Sequence, residues 1–397
     1  MKVYPYLIIG GGMTGDAAAK AIRELDKNAE ITIIGAEQHP PYKRPPLSKG
    51  LWKDAALDSI WLKTQDKNIN LILGTRISTL DTIHKQVIDE QGNRYGYNKL
   101  LIATGGTVRK LPFGGDAILY YRYLDDYFTL SKDAEDKQHF TVLGGGFIGS
   151  EIAAGLRMRG KEVSMLFPET GIGALVYPYG LSQFINEYYR EKGIQVMTGE
   201  SAKELLQDQK RWRLITDHYN LLTDRVVGGI GIKPDVELAE KAGLKIDKGI
   251  LVNETLQTSA NDVYAAGDVA SIYNTVLNRQ LRYEHEDNAI KMGTAAGKNM
   301  VGLTTRYDTN LPYFYSDLFE LGYEAVGTLD SRLEIFEDWQ EKYKKGVIYY
   351  LNAGKVQGVL LWNVWGQVKA AREIIRETQE KTVNPSDLSG RLPVEGS

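Results

Sequence analysis

Val142-Leu-Gly-Gly-Gly-Phe-Ile-Gly-Ser-Glu151 is the stretch on which the reading of this 397-residue chain turns. Gly144, Gly146 and Gly149 form a G-x-G-x-x-G element after a short apolar run and before a helix-forming segment. Physically, a strand ends, the chain turns on glycine, and N–H groups at a helix start face a pyrophosphate. One such match is weak evidence, because glycine-rich turns are common. A near-copy at the other end, Leu7-Ile-Ile-Gly-Gly-Gly-Met-Thr-Gly15, changes its weight. Two dinucleotide fingerprints in one chain suggest two dinucleotides handing something between them.

The bulk composition narrows the chemistry. The length suits two or three domains. With 43% hydrophobic and 25% charged residues the chain is ordinary for a globular protein. Its 48 Lys and Arg against 51 Asp and Glu leave a net charge of −3, which argues against nonspecific nucleic-acid binding. Cysteine is absent, so a redox disulfide, thiolate catalysis and cysteine-ligated iron or zinc are all excluded for this chain. Electron chemistry must then come from a bound cofactor, and no metal is expected. No run approaches the roughly 18 apolar residues of a membrane span, and no signal peptide or Arg-rich presequence precedes Leu7. A cytoplasmic protein is expected.

Around the first fingerprint, Tyr6–Ile9 reads as a buried parallel strand, 16–25 as an alanine-rich helix and 30–34 as a second strand. Glu37 stands 27 positions after Gly10, where a Rossmann unit places an acid on the ribose. The segment Pro40–Lys49 is a stiff loop of four prolines carrying Lys43, Arg44 and Lys49. A strand-like 70–73 and an alternating 77–88 suggest a small three-stranded excursion. Residues 99–106 form another buried strand, ending in Thr104, Gly105 and Gly106 and followed by Arg109. Arg122 could reach a phosphate or face solvent. Around the second fingerprint, 141–144, 150–159 and 162–167 make a fresh βαβ unit. Glu169 lies 25 positions past Gly144; an acid there accepts from a free 2′-hydroxyl and repels a 2′-phosphate, favouring NADH over NADPH. Residues 225–231 and 262–268 are further strands ending in Gly231 and in Gly267-Asp268. From Tyr313 onward five strand-like runs, with a hairpin signal at Asn352-Ala-Gly-Lys355, precede a helix over 368–378. The polar tail after it is expected to be disordered.

With these pieces assembled, the chain resembles the two-dinucleotide-fold flavoproteins, and within them apoptosis-inducing factor and the oxygenase-coupled ferredoxin reductases. The most specific pieces are Arg44-Pro-Pro-Leu-Ser-Lys49, Ala103-Thr-Gly-Gly-Thr107, Gly144–Glu151, Leu166-Phe-Pro-Glu169 and Ala266-Gly-Asp268, extended by Glu284-His285, Ser316-Asp317 and Gly322–Gly327. The resemblance implies an α/β protein of two Rossmann-like dinucleotide-binding domains, arranged as in glutathione reductase, plus a C-terminal α+β domain. Residues 1–115 and 245–308 would form a discontinuous FAD domain, 116–244 an NADH domain, and 309–397 the C-terminal domain with its tail. It implies FAD contacts at Gly10, Gly12, Met13, Thr14, Gly15, Glu37, Arg44, Lys49, Ile77, Ala103, Thr104, Gly105, Arg109, Arg122 and Asp268. NADH contacts are implied at Gly144, Gly146, Phe147, Ile148, Gly149, Glu151, Glu169 and Gly231. Glu284, His285 and Tyr315 would serve both ligands at the nicotinamide and ring edge. Three departures stand out: Tyr315 replaces the usual tryptophan, Glu286 replaces a second histidine, and Asp330 to Val347 is short where apoptosis-inducing factor carries an insertion. With no targeting segment, a mitochondrial death-signalling role is not implied.

The implied chemistry is hydride transfer from NADH to FAD and release of electrons to an acceptor, with the protein aligning and tuning. Lys49 would stabilise negative charge on the reduced ring, and about 3 kcal/mol of such bias raises a two-electron potential by roughly 60 mV. Glu151, paired with Lys49, would fix and moderate it, leaving no residue catalytic in the acid–base sense. The expected partner is NADH with an electron acceptor, either a ferredoxin- or rubredoxin-type carrier or a quinone, the protein being a monomer or homodimer. The competing reading is a slow NADH-gated sensor that changes oligomeric state or partner on reduction. The lysines of Glu341-Lys-Tyr-Lys-Lys345 could dock an acidic carrier, although a solvated hairpin explains them as well.

Overall fold

A computed structural model describes residues 1–394. The chain forms two compact units, one of Met1–Lys43, Asp58–Thr107 and Lys233–Pro312, the other of Arg44–Leu57, Val108–Ile232 and the chain from Tyr313.

The first unit is organised on a seven-stranded sheet. Lys2–Ile9 pairs in parallel with Ile31–Ile34 on one side and Arg94–Ile102 on the other, and Val263–Ala265 joins the latter, also in parallel. Leu7 and Ile8 are fully buried, the signature of a strand covered on both faces. The helix Met13–Leu25 lies over the sheet and packs on the helix Glu286–Met300. Small residues on its buried face, Ala17, Ala18 and Ala21, permit that approach. The expected three-stranded excursion does not stand apart. Asn70–Ile72 extends the parallel sheet beside Ile31–Ile34, while Ile77–Asp81 and Gln86–Asp89 continue it antiparallel from Arg94–Ile102. The polar alternation of these segments marks one-sided burial, which an extension of the main sheet satisfies as well as a separate one.

The second unit holds a five-stranded sheet in the order Ile194–Thr198, Glu162–Phe167, His139–Leu143, Arg225–Gly228, Ile118–Tyr120, every pairing parallel. A three-stranded antiparallel sheet, Ala202–Asp208, Arg211–Thr216 and Asn220–Thr223, and the helix Tyr179–Glu191 were not foreseen from sequence. The chain from Tyr313 builds a five-stranded antiparallel sheet covered by the helix Val368–Glu380. Its hairpin turn, Ala353 and Gly354, has both φ values positive (49° and 72°), as a two-residue turn of matching twist requires. The central strands Lys345–Asn352 and Lys355–Trp362 are buried almost throughout. One cover is the segment after Glu162–Phe167: Tyr177 meets Tyr323 and Trp362 edge-on at 5.7 and 5.8 Å, and the Tyr350 hydroxyl donates to the Val176 carbonyl at 2.8 Å. Contrary to expectation, the described part of the tail is fastened, because Leu388 and Leu392 are fully buried and Asn384 and Asp387 cap its short 3-10 turn. The last three residues lie outside the described part. Among the described residues no helix is long and apolar enough to cross a membrane.

Candidate functional site

The two fingerprints fold into the same object, one in each unit. In the first, Gly10 ends its strand at φ 120°, and a Cβ there would stand 2.1 Å from the Ala103 carbonyl oxygen. Gly15 lies one turn into the helix, where a Cβ would fall 2.2 Å from the Gly10 oxygen. Between them Gly12 caps the helix without any side-chain bond, and a Cβ on it meets nothing within 4 Å. The second unit repeats each term. A Cβ on Gly144 (φ 108°) would stand 2.5 Å from the Gly229 oxygen, and one on Gly149 2.0 Å from the Gly144 oxygen. Gly146, at the N-cap, again meets nothing. The outer glycines therefore serve packing inside the protein. The middle glycine serves no protein neighbour, leaving open space before a helix start whose partial positive charge suits a phosphate. This geometry fits two dinucleotide pyrophosphates.

The remaining predicted residues of the first unit follow its strands and turns, some of them against the cradle. Met13 and Thr14 open the helix. Glu37 follows the strand Ile31–Ile34, and its carboxylate accepts from the Tyr42 hydroxyl at 2.6 Å. Ala103, Thr104 and Gly105 follow the strand Arg94–Ile102; the Thr104 hydroxyl donates to the Asp235 carbonyl at 2.8 Å, and Gly105 turns at φ 70°. Asp268 sits in the turn Gly267–Val269, adjoining Thr14, whose hydroxyl lies where a Gly267 Cβ would be. Its carbonyl accepts from Arg282, and Arg282 pairs with Glu284 at 2.6 Å. His285 caps the helix Glu286–Met300. Ile77 belongs to the unit's apolar core, two residues after Thr75, whose N–H bonds the Gly35 carbonyl.

In the second unit, Phe147 and Ile148 begin the helix, with Phe147 against Phe314 at 5.3 Å and Ile148 exposed. Glu169 follows the strand Glu162–Phe167 and is half-buried, its carbonyl accepting from Gly199 at 3.0 Å. Gly231 turns at φ 89° and accepts from the Arg109 N–H, so Arg109 lies beside an expected NADH residue. Arg44 donates to the Arg122 carbonyl at 3.1 Å and covers the Tyr123 ring at 5.3 Å. The Arg122 N–H in turn bonds the Asp126 carboxylate.

Glu151 is a buried ionisable group of this unit, held by three side chains. Only 3% exposed, it accepts from Lys49 Nζ at 2.6 Å and Ser48 Oγ at 2.5 Å, and also from Ser316 Oγ. Lys49 Nζ also lies 5.4 Å from the centre of the partly exposed Tyr315 ring. The loop presenting Lys49 is pinned: the Trp52 indole and the Tyr121 hydroxyl both donate to the Leu47 carbonyl, and Arg159 holds Asp54 at 2.7 Å. Nearby, burial pushes the phenols of Tyr177, Tyr189 and Tyr323 well above their usual range, so they stay neutral.

Sequence reasoning included Ser48 and Ser316 in its motifs without giving them a role, and gave none to Tyr42 or Tyr121. Alternation along Tyr313–Leu318 would have turned Ser316 inward, opposite to Tyr315, but nothing local names its partner.

Comparisons with known proteins agree with this geometry. A family model described as "Pyridine nucleotide-disulphide oxidoreductase" matches residues 4–293, and one described as "Apoptosis-inducing factor, mitochondrion-associated, C-term" matches 334–377. The mitochondrial apoptosis-inducing factor 1 of Dictyostelium discoideum is 35% identical over 94% of this chain and 79% of its own length. Putidaredoxin reductase of Pseudomonas putida is 30% identical over 98% of this chain and 92% of its own. Among solved structures, the covalent putidaredoxin reductase–putidaredoxin complex superposes with a TM-score of 0.90 at 27% identity, covering 98% of this chain and 97% of that one.

Proposed function

The chain belongs to the pyridine nucleotide-disulphide oxidoreductase family, on the branch of apoptosis-inducing factor and the putidaredoxin-type ferredoxin reductases, and from that premise we propose that it carries electrons from NADH to a small redox protein. The coarse activity follows from membership: it is an FAD-dependent oxidoreductase of nicotinamide nucleotides that passes electrons to an acceptor. With no cysteine in the chain, the route does not run through a disulfide, despite the family's description. The observation that carries the reading is the pair of cradles whose middle glycines, Gly12 and Gly146, face open space.

When bound, FAD supplies acceptance of a hydride from NADH and onward release of electrons. The protein's part is to bind and orient. In this reading the first unit holds FAD: Gly12 lets the pyrophosphate reach the helix start, Glu37 accepts from a ribose, and Asp268, beside Thr14, contributes a further acceptor. The second unit holds NADH in the same way, through Gly146 and Glu169. Glu169 accepts from a free 2′-hydroxyl and opposes a 2′-phosphate, so NADH is preferred. Arg44, buttressed on Arg122, is a held cation of the second unit. Lys49, fixed by Glu151 and with the Tyr315 ring beside it, would be the cation that offsets negative charge on a reduced ring. No residue is asked to move a proton from substrate carbon.

A small protein acceptor is favoured over a quinone by the likeness to putidaredoxin reductase in its complex with putidaredoxin. The test is a stopped-flow series on the FAD-loaded protein with NADH or NADPH, followed by mixing with acidic iron–sulfur carriers. Faster reduction by NADH, and carrier-dependent reoxidation above about 10 per second, is expected. Equal rates with both nucleotides would remove the role of Glu169. A long-lived reduced protein that ignores every carrier and changes size in light scattering would replace the reductase with the redox sensor.

A further inference from the structure

We infer that Ser316, together with Ser48, is a positioning residue that sets how much of the Glu151 charge falls on Lys49; the inference rests on the reading of Lys49 given above. A buried carboxylate must be paired and its lone pairs occupied. Lys49 alone meets one side of Oε1; Ser316 takes up a second site on Oε1 and Ser48 occupies Oε2. Tyr177, Tyr189 and Tyr323, which also feel this charge, remain neutral phenols.

The three donors and the acceptor come from three separate segments: the pinned loop of Ser48 and Lys49, the helix Phe147–Met158, and the strand Tyr313–Leu318. Ser316 therefore fixes the carboxylate from a direction that neither of the other segments supplies. Without its hydroxyl, Oε1 would satisfy itself on Lys49 alone. The ammonium would be drawn toward Glu151, and less of its charge would remain for the ring edge. Both the driving force for accepting a hydride and the alignment of Lys49 would fall together. Ser316 need not touch FAD or nucleotide to do this.

The test is a double-mutant cycle on the FAD-loaded protein with Ser316→Ala, Ser316→Thr, Glu151→Gln and Ser316→Ala/Glu151→Gln. Three quantities are read: the limiting rate of FAD reduction by NADH, the NADH dissociation constant, and the midpoint potential of bound FAD. Ser316→Ala is expected to slow reduction about tenfold, leave the dissociation constant within about twofold, and lower the potential by about 30 mV, the same tenfold read as a two-electron equilibrium. Ser316→Thr, which keeps the hydroxyl, restores both rate and potential. In the Glu151→Gln background, removing Ser316 changes neither by more than about twofold, because the charge it serves is gone.

An unchanged potential in Ser316→Ala, or equal effects in both backgrounds, overturns the inference. Should Ser316→Ala lose FAD or unfold, Ser48→Ala enters the same cycle through Oε2 with the same expected signs. A wild-type protein that NADH does not reduce defeats the functional reading and this inference with it, whereas rapid wild-type reduction with a silent Ser316→Ala defeats the inference alone.

Discussion

Replacing Gly146 by alanine separates the two jobs that glycine does in this protein. Gly146 caps its helix at φ −83° and ψ −169°, a conformation open to any residue, and a Cβ there meets no atom within 4 Å. Alanine is a poorer N-cap than glycine by several tenths of a kcal/mol, but it lowers unfolded-state entropy by about 0.4–1 kcal/mol, so stability should stay within about 1 kcal/mol of wild type. The new methyl would nevertheless stand in the mouth of the cradle. Displacing a phosphate from charge-assisted backbone bonds costs about 1.5–3 kcal/mol, which is roughly a 10- to 150-fold loss of NADH affinity. Gly149→Ala is the contrast. Its Cβ would sit 2.0 Å from the Gly144 oxygen, where an ordinary carbon–oxygen contact is about 3.3 Å, so backbone must move and stability should fall by about 1–3 kcal/mol with no ligand present. Urea denaturation and NADH titration of the two variants decide the matter. Native NADH affinity in Gly146→Ala, or equal destabilisation of both variants, would refute the assignment of the middle glycine to the ligand.

Two further consequences concern the first unit. Tyr42→Phe removes the phenol that donates to Glu37 at 2.6 Å, and loosening that acid should raise the FAD dissociation constant roughly 3- to 10-fold, read from flavin fluorescence released on dilution; unchanged retention would detach Glu37 from FAD. Hydrogen bonds from Lys85 and then Lys99 hold the Asp262 carboxyl below its ordinary range. A carboxyl depressed on folding stabilises the protein above its unfolded value, and that gain is lost as pH falls through about 4 toward the depressed value. Asp262→Asn should therefore unfold more easily than wild type at neutral pH and converge with it in acid. Asparagine is the apt substitute because the residue sits at φ 63°, which it tolerates. Parallel denaturation profiles at all pH values would rule out the ion-pair account.

Much of the fold was legible because its signals are local. Each cradle is written in six consecutive residues: the apolar run before it makes a doubly covered strand, and the glycines after it cannot be replaced without clash or obstruction. The hairpin turn, the acids Glu37 and Glu169 that follow their strands, and the absence of cysteine are equally local facts. The alternation over 77–88 was ambiguous for a physical reason, since one-sided burial reads the same whether strands extend a sheet or form their own. The polar tail misled because two leucines, Leu388 and Leu392, suffice to fasten it, and their weight is invisible in mean polarity.

By itself, then, the sequence determined that two dinucleotides are used, which two glycine cradles are the candidates to hold them, and that no thiol takes part. Tertiary structure alone decided what surrounds the Lys49–Glu151 pair. Ser48 is 103 residues from Glu151 and Ser316 is 165 residues from it, and no periodicity connects them. Tyr177, Tyr189 and Tyr323 stay neutral beside that charge because burial raises their phenols, which no local pattern announces. A buried carboxylate gathers its donors wherever the chain can deliver them, so the partners follow from packing and not from spacing.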